Sequence, residues 1–309
     1  MVYSAKSDAT GTISQFTRRK DIKITTGGTS TPANYQVKVT VAYAPEMQTS
    51  FQDIRFNTKN QVYIDYWIES FTASTTATVW IELPDAITDP GSDSIWMYYG
   101  NPSAASASNG ITTFIKFNDG FLGDGWVSSG ASIVDGMIRI AAGTNNYFSS
   151  SDTIPNNVVL EYSMNDSQTL ANLAEMLGFV STNTDFVVGT SRGVFFQHSG
   201  PTPDEYTEYA NPTENPVRIR TPDLTLTKMK IIWTDSGTTT KFYVNNTQYT
   251  SPSLGFPSDT SLYLYFGGIN TNDQVAFSVD NIIVRKYIAN EPTATLGTAQ
   301  HQRRIPTFL

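Results

Sequence analysis

The most regular signal in the chain is a strict alternation. Tyr35, Val37, Val39, Val41 and Tyr43 are separated by Gln36, Lys38, Thr40 and Ala42. A period of two sends successive side chains to opposite faces, so this stretch reads as a strand with one face buried. Similar runs begin at Ile22 and Ile24 and recur at Ile54–Phe56, Val62–Ser70, Thr78–Leu83 and Ser94–Tyr99, with turn-rich clusters between them. Six or seven short strands without a helical pattern predict a small β-sandwich. Gly100, Asn101 and Pro102 stop the last of these strands, because proline has no N–H for a ladder and Gly-Asn favours a turn. The small, aperiodic residues Ser103–Gly110 then read as a seam.

Beyond the seam a second set of strands is expected, opening at Thr113–Phe121 and closing at Val275–Tyr287. Between them lie Met137–Ala141, Val158–Met164, Met176–Val180, Val187–Gly189, Val194–Gln197, Val217–Arg220, Met229–Trp233, Lys241–Val244 and Ser261–Phe266. Met229–Trp233 and Lys241–Val244 predict a hairpin, and Asn245-Asn246 a tight turn into Gln248–Thr250. Leu170–Leu177 is the one stretch with helical spacing. This density of antiparallel strands suits a two-sheet jelly roll. The expected division is an N-terminal arm (1–15), a small sandwich (16–102), a linker (103–111), a jelly roll (112–290) and a C-terminal tail (291–309). The tail reads as a frayed terminus or, more sharply, as a peptide that docks on a neighbouring subunit.

Composition narrows the function classes. Charged residues make up 16% of the 309-residue chain, against about 25% in ordinary soluble domains. Hydroxyl and amide side chains take their place, which suits an extracellular or particle-exposed surface. A net charge of −8 argues against a nucleic-acid partner, since phosphate binding needs lysine and arginine. With no cysteine, disulfides, thiolate catalysis and zinc–sulfur sites are excluded. No apolar run is long enough for a membrane span, and Met1–Lys6 lacks the apolar region of a secretory leader. The expectation is either a leader already removed or release by another route, such as incorporation into a virus particle.

Six motifs then occur in one order: Lys20-Asp-Ile-Lys-Ile-Thr, Tyr35-Gln-Val-Lys-Val-Thr-Val, Phe51-Gln-Asp-Ile-Arg-Phe, Asp65-Tyr-Trp-Ile-Glu-Ser, Ala77-Thr-Val-Trp-Ile and Met97-Tyr-Tyr-Gly-Asn-Pro-Ser-Ala. Over residues 16–110 the order closely resembles domain of unknown function 2341, found in archaeal and bacterial surface proteins and some viruses. That resemblance implies an immunoglobulin-like sandwich and no known activity. Phe114–Phe121, the Trp233–Val244 hairpin and Val279–Tyr287 resemble the opening strand, hairpin and closing strand of a laminin-G-like, concanavalin-type jelly roll. Jelly rolls of this type often bind structural calcium where first and last strands meet. The resemblance places Asp119, Asp124 and Asp280 there as candidate metal ligands.

Catalytic patterns fare poorly. Asp65 and Glu69 lie four residues apart on one strand, so their carboxylates stand about 13 Å apart at ~3.4 Å per residue. Glycosidase pairs need ~5 Å or ~6.5–9.5 Å. Concanavalin-type hydrolases carry Glu-x-Asp-x-x-Glu on one strand, and Glu161-Tyr-Ser-Met-Asn-Asp comes nearest but lacks the central acid. His198 has no Gly-x-Ser-x-Gly companion that would suggest a hydrolase triad. Sugar binding, by contrast, wants an exposed ring beside amides and carboxylates. Phe196, Gln197, His198, Asp204, Glu205, Tyr206 and Tyr209 supply both kinds of group in one region, and Trp126 in Gly-Asp-Gly-Trp is a second candidate ring.

The expectation is therefore an all-β, two-sandwich, non-catalytic protein of a virion surface or cell-surface filament, serving in structure or attachment. Its expected partners are host or cell-surface glycans and neighbouring structural subunits in an oligomer. It requires no cofactor, and a structural calcium ion is a candidate ligand. A glycan-cleaving enzyme and an inert spacer are the two alternatives.

Overall fold

The computed structural model describes residues 13–142, 146–166, 173–184, 193–200, 206–210, 213–215, 226–235, 240–249, 259–268 and 276–302. After a 3-10 turn at Ile13–Gln15 come β1 (Arg18–Thr25), β2 (Tyr35–Ala42), β3 (Arg55–Thr58), β4 (Tyr63–Ile64), β5 (Tyr66–Thr72), β6 (Thr76–Leu83), β7 (Ser92–Tyr99) and a one-turn helix α1 (Gly110–Thr113). Next follow β8 (Lys116–Asn118), β9 (Trp126–Ser129), β10 (Ala131–Val134), β11 (Met137–Ile140), β12 (Tyr147–Pro155), β13 (Val158–Asp166), β14 (Leu173–Val180) and β15 (Gly193–Gly200). The chain continues through β16 (Tyr206–Ala210), β17 (Thr213–Asn215), β18 (Thr227–Trp233), β19 (Lys241–Val244), β20 (Thr247–Tyr249), β21 (Ser261–Gly268), β22 (Phe277–Lys286) and β23 (Thr293–His301).

The chain is all-β and divides into two compact units, residues 1–114 with 288–309, and residues 115–287. In the first, sheets β23-β1-β7-β3-β4 and β2-β6-β5 face each other. Ile22 and Ile24 from one sheet, Val37, Val39 and Val41 from the other, and Phe51, Phe56 and Tyr66 fill the space between them. The alternation at Tyr35–Ala42 is realised as β2, paired in full register with β6 from Tyr35↔Leu83 to Ala42↔Thr76. In the second unit, β10-β11-β22-β13-β18-β19-β20, with β8 beside β22, packs against β17-β16-β15-β14-β21-β12-β9. Leu160, Tyr162, Phe179, Trp233, Phe266 and Val279 are among its buried core residues. This is a two-sheet antiparallel jelly roll.

Four readings of the sequence need correction. Residues 170–177 do not show the expected helix where they are described: Leu173–Val180 is a strand paired with β15 on one side and β21 on the other. Its alternation is lost because Leu177 and Phe179 enter the main core while Val180 is buried on the opposite face. Residues 103–111 are not a free linker. The Gln48 side-chain amide donates to the Asn101 and Ala104 carbonyls, Asn109 N–H to Tyr66 O, and Ile68 N–H to Ser108 Oγ. The tail is not frayed over Thr293–His301. It pairs with β1 of its own chain, from Thr25↔Thr293 to Arg18↔His301, with a bulge opposite Asp21. Finally, Val62–Ser70 is interrupted into β4 and β5.

The chain returns to the first unit after completing the second. The return leg packs closely there: a Cβ on Gly27 would lie 2.5 Å from the Glu291 carbonyl oxygen, and Asn290 bonds the Thr29 hydroxyl at 3.2 Å. The expected strands at Val187–Gly189 and Val217–Arg220, and the first twelve residues of the arm, lie outside the described residues. Among the described residues no helix is long and apolar enough to cross a membrane.

Candidate functional site

In the first unit the polar groups that sequence alone leaves unexplained form a structural knot. Asp53 is fully buried, and its carboxylate accepts from the backbone N–H groups of Gln48, Gly100 and Asn101 at 2.7–3.1 Å. Arg55, 2% exposed, donates to the carbonyls of Gln52, Ile54 and Ala105 and to the Tyr66 hydroxyl. Burial drives the Tyr66 hydroxyl well above its ordinary range, so it remains protonated and donates onward to Ile54 O at 2.7 Å. Two buried ionisable side chains thus close the seam onto β3 by satisfying its backbone. The carboxylates once set against a glycosidase pair have structural partners too. Asp65 accepts from the Thr112 hydroxyl at 3.1 Å, and Glu69 pairs with Lys38 at 2.8 Å.

The ring expected to be exposed at Trp126 is 7% exposed and stacks on Phe148, with centroids 4.5 Å apart and 11° between planes. β9 is the last strand of its sheet, and the indole is turned inward to close the sandwich there. Phe196 is likewise buried. It shares its face with Val194 and meets Phe242 edge-on at 5.2 Å. Neither ring presents a face to a sugar.

The remaining candidates are brought together in part. Gln197 and His198 lie on β15, Tyr206 and Tyr209 on β16, and Asp204 and Glu205 fall outside the described residues. The ladders align Glu175, His198 and Tyr206 in one row across β14, β15 and β16, and Met176, Gln197 and Thr207 in the next. Glu175 and Thr207 are additions that the sequence did not suggest, Glu175 because its segment read as helix. On the same sheet Val180, Phe195 and Tyr265 form a second apolar cluster, with Tyr147 packed against it. Tyr147 and Tyr265 stack at 5.8 Å. The Tyr265 ring lies over Gly267, where a Cβ would come within 2.6 Å of the phenol oxygen, so only glycine fits beneath it.

Of the proposed calcium ligands, Asp119 and Asp280 interact. Asp280 Oδ1 is buried without a hydrogen-bond partner, while Oδ2 accepts from Asn281 at 2.8 Å. Desolvation raises both carboxyls above their ordinary range, and the charge of Asp119 raises Asp280 further. Asp124 is exposed on a turn at φ +47°. Among the described residues no three His, Asp or Glu side chains converge as a metal site, so the three aspartates do not form one cluster. Glu161, nearest to the hydrolase pattern, bonds Arg285 on the adjacent strand at 3.2 Å.

The family described as domain of unknown function (DUF2341) matches residues 50–128, about a quarter of the chain. The match takes in the Asp53–Arg55 knot and the seam and begins later than the motifs that first suggested it. No curated protein matches the sequence. Solved structures with some likeness include the carbohydrate recognition domain of Emp47p, at 10% identity over 54% of this chain and 90% of that one, TM-score 0.42. Another is the laminarinase catalytic domain from Thermotoga maritima MSB8, at 11% identity over 57% and 98%, TM-score 0.42. The fold described above rests on the strand ladders themselves.

Proposed function

We propose that the chain is a non-catalytic structural or attachment protein, displayed on a virus particle or cell-surface filament, whose second unit binds glycans. The observation that carries this reading is the nesting. The first unit holds both ends of the described chain through the β1–β23 pair, and the second is carried between them as an insert. Such an arrangement suits a mount and a presented module. A surface rich in hydroxyls and amides and poor in charge supports exposure to the outside. The Glu175–His198–Tyr206 row and the Gln197–Thr207 row alternate to opposite faces of the sheet, and each brings together residue types that sugar hydroxyls pair with, the first a carboxylate, an imidazole and a phenol, the second an amide and a hydroxyl.

A glycan array probed with the full chain tests this. Retention that falls when His198→Ala and Gln197→Ala are combined is the expected result. Turnover on a polysaccharide panel, abolished by changing one carboxylate, would replace it with the enzyme reading. Absence of both signals would leave a spacer.

Calcium belongs to the same proposal. Asp119 and Asp280 are the residues that would hold the ion, and the unpartnered Asp280 Oδ1 fits that role. A carboxyl whose folded pKa is raised costs stability at neutral pH, and the cost is relieved as pH falls through the folded value. The second unit should therefore be stabilised at pH 7 by millimolar calcium and, without it, by mild acid. Thermal unfolding that ignores calcium and chelator alike would remove the ion from the reading.

A further inference from the structure

β23 ends its sheet: it pairs with β1 on one side, and no described strand pairs with its other side. The hydrogen-bonding phase shows which groups face outward. Gln302 N–H donates to Thr17 O and Thr26 N–H to Gly91 O. Antiparallel bonding alternates residue by residue. The odd residues of β1 therefore bond β23, through the pairs Arg19–Gln300, Lys23–Thr295 and Thr25–Thr293. Ala294, Leu296, Ala299 and His301 are left with their N–H and C=O groups aimed away from the sheet.

Natural proteins blunt such edges with short strands, charges, prolines or bulges. The other open edges among the described residues follow that rule. β4, β9, β10, β17 and β20 are two to four residues long. β2 carries Lys38, and β5 is covered by Ser108 and Asn109. β23 is nine residues long and almost wholly exposed, and its bulge is the one protection it has. Residues 292–302 contain no Asp, Glu, Lys or Arg.

We propose that this edge is an interface between two copies of the chain, joined by antiparallel β23–β23 pairing across a two-fold axis. A two-fold contact sets a surface against itself, so every fixed charge on it meets its own kind. A strand free of charge meets that requirement. Apart from Leu296, which packs on the core, and His301, which meets Arg18, its side chains are threonines, alanines and one glutamine beside Gly297, most of them small enough for close backbone approach. β2 of the facing sheet runs alongside β23, which widens the contact beyond a single ladder. The proposal gives the oligomer expected from the sequence a surface. It does not rest on glycan binding, because mass reports one and retention on sugars reports the other.

Sedimentation of the full chain over a concentration series, with hydrogen exchange followed on the peptide covering 293–302, decides it. A dimer is expected, with protection of 293–302 that rises with concentration. Ala299→Pro removes an outward N–H while leaving the bonds to β1 intact, and Thr295→Lys adds a charge to the edge. Each should weaken the dimer by about tenfold or more, equivalent to about 1.4 kcal/mol, without lowering the melting temperature. A chain that stays monomeric with 293–302 exchanging freely overturns the proposal, as does a dimer that both variants leave intact. Protection that is independent of concentration and lost on deleting residues 1–12 would assign the edge to the chain's own N-terminus instead.

Discussion

At the residue scale, Asp53 and Arg55 show how a charged side chain can sit in a legible motif while its role stays out of sight. Phe51-Gln-Asp-Ile-Arg-Phe announces a strand through Ile54 and Phe56, and alternation would send Arg55 outward into water. Both ionisable groups are instead buried, because the backbone of Gly100–Ala105 has no strand partner and takes its hydrogen bonds from them. Nothing in a local pattern states where the carbonyls of a distant turn will go. The requirement that buried backbone groups be paired fixes the energetics. Asp53→Ala would strand three N–H groups, at about 1–3 kcal/mol for each one left unsatisfied. Urea unfolding should show the first unit losing about 3 kcal/mol or more, and a loss within error would mean that Gly100 and Asn101 find other acceptors. The candidate site fared unevenly for a related reason. Trp126 and Phe196 could be recognised as aromatic, but whether a ring faces water depends on which strands flank it.

At the element scale, legibility followed the strength of the local signal. The β19–β20 turn was readable because Asn245 and Asn246 both adopt positive φ, 48° and 68°, as a two-residue hairpin turn requires and asparagine tolerates. β2 was readable because one face is apolar and the other largely polar, and β6 and β7 because one parity carries an apolar run, Ala77, Val79, Ile81 and Leu83 in the first and Ile95, Met97 and Tyr99 in the second. β14 was not. Apart from Glu175 it carries apolar or small residues at both parities, and the spacing of Leu170, Leu173 and Leu177 imitates a helix when the flanking strands are unknown. A segment buried between two neighbours on both faces loses the alternation that would identify it. β23 was missed for the opposite reason. It turns only Ala294 and Leu296 toward the core, too few apolar positions to rise above a polar background.

At the scale of the whole molecule, the nesting makes the C-terminal strand part of the fold of the N-terminal unit. β1 has two neighbours, β7 and β23, and its Ile22 and Ile24 are fully buried while both are in place. Ending the chain after Pro292 would open the outer edge of β1, remove the cover supplied by Ala294 and Leu296, and break the Arg18–His301 contact. Partial burial of one leucine and one alanine is worth about 2 kcal/mol, which for a unit of this size lowers its melting temperature by roughly 10 °C. The second unit, with its own core and both of its sheets complete, should keep its transition unchanged. Hydrogen exchange during thermal unfolding separates the two, because protection in Tyr35–Ala42 reports the first unit and protection in Val158–Met164 the second. Equal loss in both would mean that the units unfold as one. Loss in neither would mean that β23 is bound without supporting the sandwich, leaving its open edge as the remaining reason for its presence.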